Sequence, residues 1–432
     1  MAAEMGLSSR GAGNVDSVLP SISAAIDERA KKANTNIDLG TAENWLIRDE
    51  LIAICKKSIN DDLTDKHLSY PDGFAGDTAM LEASASFFNE YFKPATPVLA
   101  QQHIATAPGA AASLDALLYN ICEPGDGVLV PSPFWNGFDW LFGVRSGVQP
   151  VGVDVGIADG FTSHLIPRLD ATLKASPRPI KAVVLTNPHN PFGQCYPKHV
   201  IEKCIRFCKE KQIHFISDEV YAMSSFKSKD SAALVPFTSA LSIDVEAIGG
   251  DPAHVHVIWS ISKDFGSSGF RMGFCITQAN RALQVGLALA ANTQISSLTA
   301  LFTRALLISP KLPALLKINA AKLSEAYRTM TDFFECHGIE YLPVSHGPFV
   351  FAKVVANAIS WEDEALAVAC CKEAGVVISS GKAYHIIENE KGWARLTFAI
   401  KRDQLDEALR RLERGLAKFQ AIRKFDGQNG TH

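Results

Sequence analysis

From about Pro97 onward, short apolar runs alternate with longer stretches whose apolar residues recur at helical spacing. A strand covered on both faces is apolar at nearly every position, whereas an amphipathic helix repeats its apolar residues every three or four. The strand-like runs are G-V-L-V-P, P-V-G-V-D-V, I-K-A-V-V-L-T, H-F-I-S-D and V-H-V-I-W-S. Between the third and fourth lies P-K-H-V-I-E-K-C-I-R-F-C-K-E-K, with Pro197 suited to a first helical turn. A strand, a crossover helix and a further strand pair in parallel, so the pattern predicts an α/β domain with a mostly parallel sheet and helices on both faces.

After Lys311 the pattern changes to a long amphipathic helix, then I-E-Y-L-P-V, P-F-V-F-A-K-V, a helix at E-D-E-A-L-A-V-A-C-C-K-E, and A-R-L-T-F-A-I. This reads as a smaller α/β domain. The predicted organisation is an N-terminal arm over 1–35, a small domain from 36–66 and 312–420, a large domain over 67–311 and a flexible tail over 421–432. A chain of 432 residues buries a core large enough for both. Its formal net charge of −4 gives no electrostatic case for nucleic acid. No apolar run approaches the ~18 residues of a membrane span, and the N-terminus lacks an apolar signal core. Nine cysteines without a C-x-x-C pair fit a reducing compartment, so the expected location is cytoplasmic. Cys204 and Cys208, one helical turn apart without further ligands, read as packing residues, and no metal site is expected.

The chemistry concentrates where strands end, because ligands in such sheets gather there. Residues 255 to 273, V-H-V-I-W-S-I-S-K-D-F-G-S-S-G-F-R-M-G, join a strand to serines, a lysine, a glycine loop and an arginine. Lys263 suits a Schiff base, and Ser260, Ser262 and Arg271 suit a phosphate. Pyridoxal phosphate (PLP) is the leading cofactor; a nucleotide is the alternative, although the P-loop order is missing. Gly109 precedes a helix whose first amides, Ala110 and Ala111, suit the same phosphate. The loop T-N-P-H-N-P-F-G-Q holds Asn190 either as a rigid donor or in an ordinary turn. Asp218 ends a buried strand and Tyr221 follows it; an aspartate would keep the PLP ring nitrogen protonated, and a tyrosine and an asparagine would bind its phenolic oxygen. Trp135 either stacks on the ring or belongs to the core.

Taken in order, G-A-A-A, P-S-P-F-W, N-P-H-N-P-F-G, S-D-E-V-Y and S-I-S-K-D-F-G-S-S-G-F-R-M-G resemble the class I/II aminotransferase family of PLP enzymes, over about residues 37 to 418. The resemblance implies fold type I, with Lys263 as the Schiff-base lysine and Asp218 on the pyridine nitrogen. It further implies Asn190 and Tyr221 on the phenolic oxygen, and Ser260, Arg271 and the Ala110 and Ala111 amides on the phosphate. The same resemblance implies Trp135 stacked over the ring and Arg395, in W-A-R-L-T-F, on the substrate carboxylate, which a guanidinium fork suits. A homodimer with shared sites is also implied, in which Tyr70 enters the neighbouring site.

Within the family, G-T-A-E-N-W-L looks most like the aminocyclopropane-carboxylate synthase branch, which places Glu43 near the substrate; a plain helix-start glutamate is the alternative. Where that branch reads tyrosine-histidine-glycine, this chain has S-Y-P-D-G-F-A-G, with Phe74 in place of the tyrosine. The expected activity acts on an α-amino acid through Lys263 and a Cα carbanion. Carbon–sulfur elimination on a sulfur-containing amino acid leads, transfer of the amino group to a 2-oxo acid is the alternative, and an amine-binding sensor without turnover is the remote one.

Overall fold

The computed structural model describes residues 6–17, 35–291 and 295–429. Thirteen strands are found among them: β1 Ile37–Asp38, β2 Ile104–Ala107, β3 Gly127–Ser132, β4 Gln149–Asp154, β5 Ile180–Thr186, β6 His214–Asp218 and β7 Val255–Ser260, followed by β8 Gly273–Ile276, β9 Glu340–Tyr341, β10 Phe349–Lys353, β11 Val376–Val377, β12 Ser379–Ser380 and β13 Ala394–Thr397. Seven of these form the large sheet, in the order β2-β8-β7-β6-β5-β3-β4. β8 is antiparallel to both its neighbours and the other pairs are parallel, so six strands point one way and β8 alone runs back.

The five predicted runs are β3 to β7. They were legible because both faces are covered: along β5, Val183 and Leu185 enter the core on one face while Ala182 and Val184 enter that on the other. Successive side chains of a strand point to opposite faces, so covering both demands an unbroken apolar run. The first face is packed by the helices Thr78–Tyr91 and Lys198–Lys211, the second by Ala110–Ile121, Phe138–Val144 and Arg281–Ala291. The crossover helix buries Cys204 and Cys208 as packing residues, and Pro197 caps it rather than joining its first turn. The two short strands at the end of the sheet, β2 and β8, escaped the sequence reading.

A second, antiparallel sheet, β12-β13-β10-β9, shares a separate core with the helices Leu312–Cys336, Trp361–Glu373 and Arg402–Asn429. Segment 36–66, read with this small unit, divides between the two cores. Leu39 joins the small one after β1 pairs with β11, whereas Ile47 and Leu51 join the large one. At the other end, residues expected as a flexible tail from 421 continue the last helix to Asn429; 430–432 lie outside the described residues. In the arm, 9–17 are helical and the Asn14 amide donates to the Val144 carbonyl at 2.9 Å, while 1–5 and 18–34 lie outside the described residues. No single helix among the described residues is long and apolar enough to cross a membrane.

Candidate active site

The sheet direction decides which residues meet. β2 leads to Gly109, β3 to Trp135, β5 to Asn190, β6 to Tyr221 and β7 to Lys263, all on the edge where these strands end. β8 starts on that edge because it runs back, with Ser260 and Ala107 both opposite Gly273. Arg271, two residues before that glycine, therefore arrives at the same place. A cavity of about 370 Å³ is lined there by Ala110, Ala111, Trp135, Asn190, Asp218 and Tyr221, together with Ser260, Ser262, Lys263, Arg271 and Arg395.

At one end of the cavity a helix begins. Gly109 caps the helix Ala110–Ile121 at φ 91° and ψ 164°, leaving the first-turn amides without intrahelical acceptors. Close approach also requires glycine here, since a Cβ on Gly109 would lie 2.4 Å from Arg271 Nη2. Arg271 is held by the Pro108 carbonyl at 2.9 Å and the Ser268 carbonyl at 2.6 Å. The Ser260 hydroxyl accepts from the Ser262 amide at 3.2 Å and caps the short helix Ile261–Asp264. Amides, hydroxyls and a guanidinium converge on one spot, an arrangement that suits a phosphate.

At the far side, Asp218 is buried with Oδ1 lacking any hydrogen-bond partner. Burial pushes its carboxyl up to about 7, while the Val220 amide and Thr186 hydroxyl pull the other way. A buried acceptor left open is costly unless a donor or cation arrives. The ring nitrogen of PLP carries such a donor.

Between the two lies Lys263, whose Nζ donates to the Ala42 carbonyl at 2.7 Å. Burial, then the Arg395 guanidinium, bring its ammonium down to about 8, against the pull of Glu43. Tyr221 is buried edge-on to Phe349, and burial pushes its phenol up. Arg395 sits on β13 between Phe351 of β10 and Ser379 of β12. Its Nη1 donates to Asn190 Oδ1 at 2.9 Å and its Nη2 to the Gly40 carbonyl at 2.5 Å, while its buried Nε has no partner. Asn190 thereby spends its oxygen on Arg395 and keeps its amide N–H groups for the cavity.

Trp135 is half-buried on the cavity wall, edge-on to Phe138 at 5.4 Å, so it is not simply a core residue. Glu43 stands one layer back: its Oε1 accepts from the Ser268 hydroxyl at 2.5 Å and its Oε2 from Arg48 at 2.8 Å. The next helix starts only at Arg48, which removes the helix-start reading of Glu43. Tyr70 does not reach the cavity of its own chain; it is 87% exposed, in a groove with His67 and Arg304. The sequence reading missed Thr186, Ala42 and Tyr384, which also line the cavity. Thr186 had a usable signal as the last residue of a buried strand, whereas Ala42 and Tyr384 carry none.

The sequence from 36 to 412 matches the family model for class I and II aminotransferases. The chain is 56% identical to the probable aminotransferase aclI of Aspergillus oryzae, over 96% of this chain and 98% of that one. It is 39% identical to the probable aminotransferase gliI of Aspergillus fumigatus, over 87% and 88%. A probable inactive 1-aminocyclopropane-1-carboxylate synthase-like protein 2 of Mus musculus is 30% identical over 97% of this chain and 73% of its own length. Among solved structures, a single mutant of Thermus thermophilus aspartate aminotransferase superposes with a TM-score of 0.75, at 21% identity, over 95% of this chain and 99% of that one, a likeness of fold. With a family model spanning most of its length and relatives alike from end to end, the chain belongs to the class I and II aminotransferases, PLP-dependent enzymes of fold type I.

Proposed function

We propose that this enzyme moves the amino group of an α-amino acid to a 2-oxo acid. One observation carries the reading: a half-buried lysine whose ammonium is brought down to about 8 shares a single cavity with an open buried carboxylate and a buried arginine. The names of the relatives aclI and gliI support transfer over the elimination reading. The residues present fit PLP, which when bound supplies an electron sink for the substrate's α carbon and carries the amino group. The Ala110 and Ala111 amides, Ser260, Ser262 and Arg271 hold its phosphate, Asp218 holds the charge at its ring nitrogen, and Asn190 and Tyr221 bind its phenolic oxygen. Trp135 covers a ring face.

Arg395 binds the substrate's α-carboxylate through its guanidinium fork, and Asn190 and Gly40 keep that fork oriented. The carboxylate also gives the unpaired Nε an anion nearby. Lys263 moves the proton at the substrate's α carbon: with its pKa at about 8, a usable fraction is neutral near physiological pH, whereas an ordinary lysine near 10.4 has almost none. A second copy of the chain supplies Tyr70 in this proposal, since that side chain is exposed and remote from its own cavity.

Elimination at a carbon–sulfur bond keeps one observation in its favour. Tyr384 lines the cavity beside Arg395, 5.0 Å from its ring centre to the guanidinium, and its hydroxyl has no hydrogen-bond partner among the described residues. Such a hydroxyl is placed to protonate a departing thiolate. The test separates the two outcomes. Purified protein loaded with PLP is given a panel of amino acids and cysteine thioethers, with and without a 2-oxo acid, and the products are read by mass. Transfer predicts a new amino acid only when the acceptor is present; ammonia, a 2-oxo acid and a thiol formed without acceptor would overturn it in favour of elimination.

A further inference from the structure

Lys263 is followed by a carboxylate that does not line the cavity. Asp264 is fully buried, where an ionised group needs partners. Its oxygens take three donors: the Ser224 hydroxyl on Oδ1 at 2.5 Å, and the Trp259 indole N–H and Met223 amide on Oδ2 at 2.8 and 3.0 Å. Trp259 comes from β7, whereas Met223 and Ser224 belong to the turn that opens at Tyr221, whose carbonyl accepts the Ser224 amide at 3.1 Å. One side chain thus ties the helix that carries Lys263 to the turn that carries Tyr221.

The backbone of the same residue makes a third tie. The Asp264 carbonyl accepts from Asn319 Nδ2 at 3.4 Å, and Asn319 Oδ1 accepts from Asn44 Nδ2 at 2.8 Å. Asn44 lies two residues beyond Ala42, whose carbonyl holds Lys263 Nζ. The segment over Lys263, the lysine itself and Tyr221 are therefore linked through one buried polar network, in which Asn44, Ser224, Trp259, Asp264 and Asn319 are all essentially without solvent contact.

We propose that Asp264 is a positioning residue, which fixes the spacing of Lys263, Tyr221 and the Ala42 carbonyl and so keeps the Lys263 amine desolvated at the reacting atoms. It rests on the reading of Lys263 as the proton-moving residue, and holds for amino transfer and elimination alike. A carboxylate is needed because all three partners are donors; an asparagine would turn its own N–H groups toward one of them. Burial pushes this carboxyl up to about 7, with the Ser224 hydroxyl, the Trp259 indole and the Met223 and Ser224 amides pulling the other way.

Asp264→Asn tests this in the full chain. In the apoprotein, the pH midpoint of the reaction of Lys263 with an amine-directed reagent is followed by peptide mass; the PLP-loaded protein gives kcat and KM. The midpoint should rise by about half a unit or more toward the ordinary lysine value of about 10.4, as Nζ regains water. The kcat should fall by roughly tenfold to a hundredfold, the cost of misplacing a reacting group by about 1 Å, with KM for the amino acid nearly unchanged. The other charges around Lys263, from Arg395, Arg271, Glu43 and Asp218, are the same in the variant. A midpoint that falls would show a charge effect without positioning and overturn the proposal, as would an unchanged midpoint, whatever happens to kcat. If Asp264→Asn does not fold, Ser224→Ala, which removes only the donor to Oδ1, must show the same upward shift and a smaller loss of kcat; wild-type values there overturn the proposal. Activity surviving in Lys263→Ala overturns the site reading and the proposal with it.

Discussion

Replacing Gly109 by alanine probes the phosphate end of the site with two separable costs. The first is backbone strain: φ 91° with ψ 164° is a region open essentially to glycine alone, and a residue forced to stay there costs about 1–3 kcal/mol. The second is steric. The new Cβ would lie 2.4 Å from Arg271 Nη2 and 2.9 Å from its Cζ, so the guanidinium must leave its place. Arg271 is exposed, so water replaces its bonds to the Pro108 and Ser268 carbonyls, and little stability is lost that way. Cofactor binding loses a charge-assisted contact worth about 1.5–3 kcal/mol, which is roughly tenfold to a hundredfold in affinity. Thermal unfolding of the apoprotein and absorbance titration with PLP read the two costs separately. Pyridoxal, which lacks the phosphate, should bind the variant about as well as it binds the wild type. PLP affinity within about twofold of wild type would refute the assignment of Arg271 and this helix start to the phosphate.

Arg395→Lys leaves one ammonium where a fork held both Asn190 and Gly40; KM for the amino acid should rise by about tenfold or more while PLP affinity stays within about threefold, and an unchanged KM would count against the carboxylate role. Asp218→Asn should abolish turnover yet stabilise the apoprotein in a pH-dependent way. A folded-state carboxyl held at about 7 contributes stability that is fully present below its unfolded value of about 3.9 and lost as pH rises through 7. The variant lacks that loss, so its melting-temperature advantage over wild type should grow from pH 5 to pH 8; a constant difference would show that Asp218 does not titrate there. Trp135→Leu should weaken PLP binding by about three- to tenfold, consistent with losing an aromatic contact of about 0.5–1.5 kcal/mol, and Trp135→Phe should recover most of it, as equilibrium titration would show.

Much of this site was legible in the sequence because several of its polar residues end a buried strand or follow one within a few positions. Asp218 and Ser260 are the last residues of β6 and β7, and Asn190 and Lys263 follow within a few positions. What stayed hidden depends on contacts between distant segments. β2 and β8 are short strands joined to each other, so neither carries the long Val- and Ile-rich run of β5. The reversal of β8 is what brings Arg271 to Gly109, and strand direction does not show in a run of apolar residues. Ala42 and Tyr384 reach the cavity from the segments around β1 and β12, and although Ala42 lies within G-T-A-E-N-W-L, neither side chain carries a signal of its own. For Glu43 the sequence left a place near the substrate and a plain helix start open; the helix begins at Arg48, and the carboxylate accepts from Ser268 and Arg48. The Asp264 network joins residues from four separate stretches of chain, and only their burial together reveals it.

The most direct test of the account is borohydride reduction of the PLP-loaded protein, followed by peptide mapping. The account predicts the cofactor's mass fixed on the peptide that contains Lys263, and none fixed in Lys263→Ala. A label on another lysine, or full activity with Lys263 unlabelled, would contradict it.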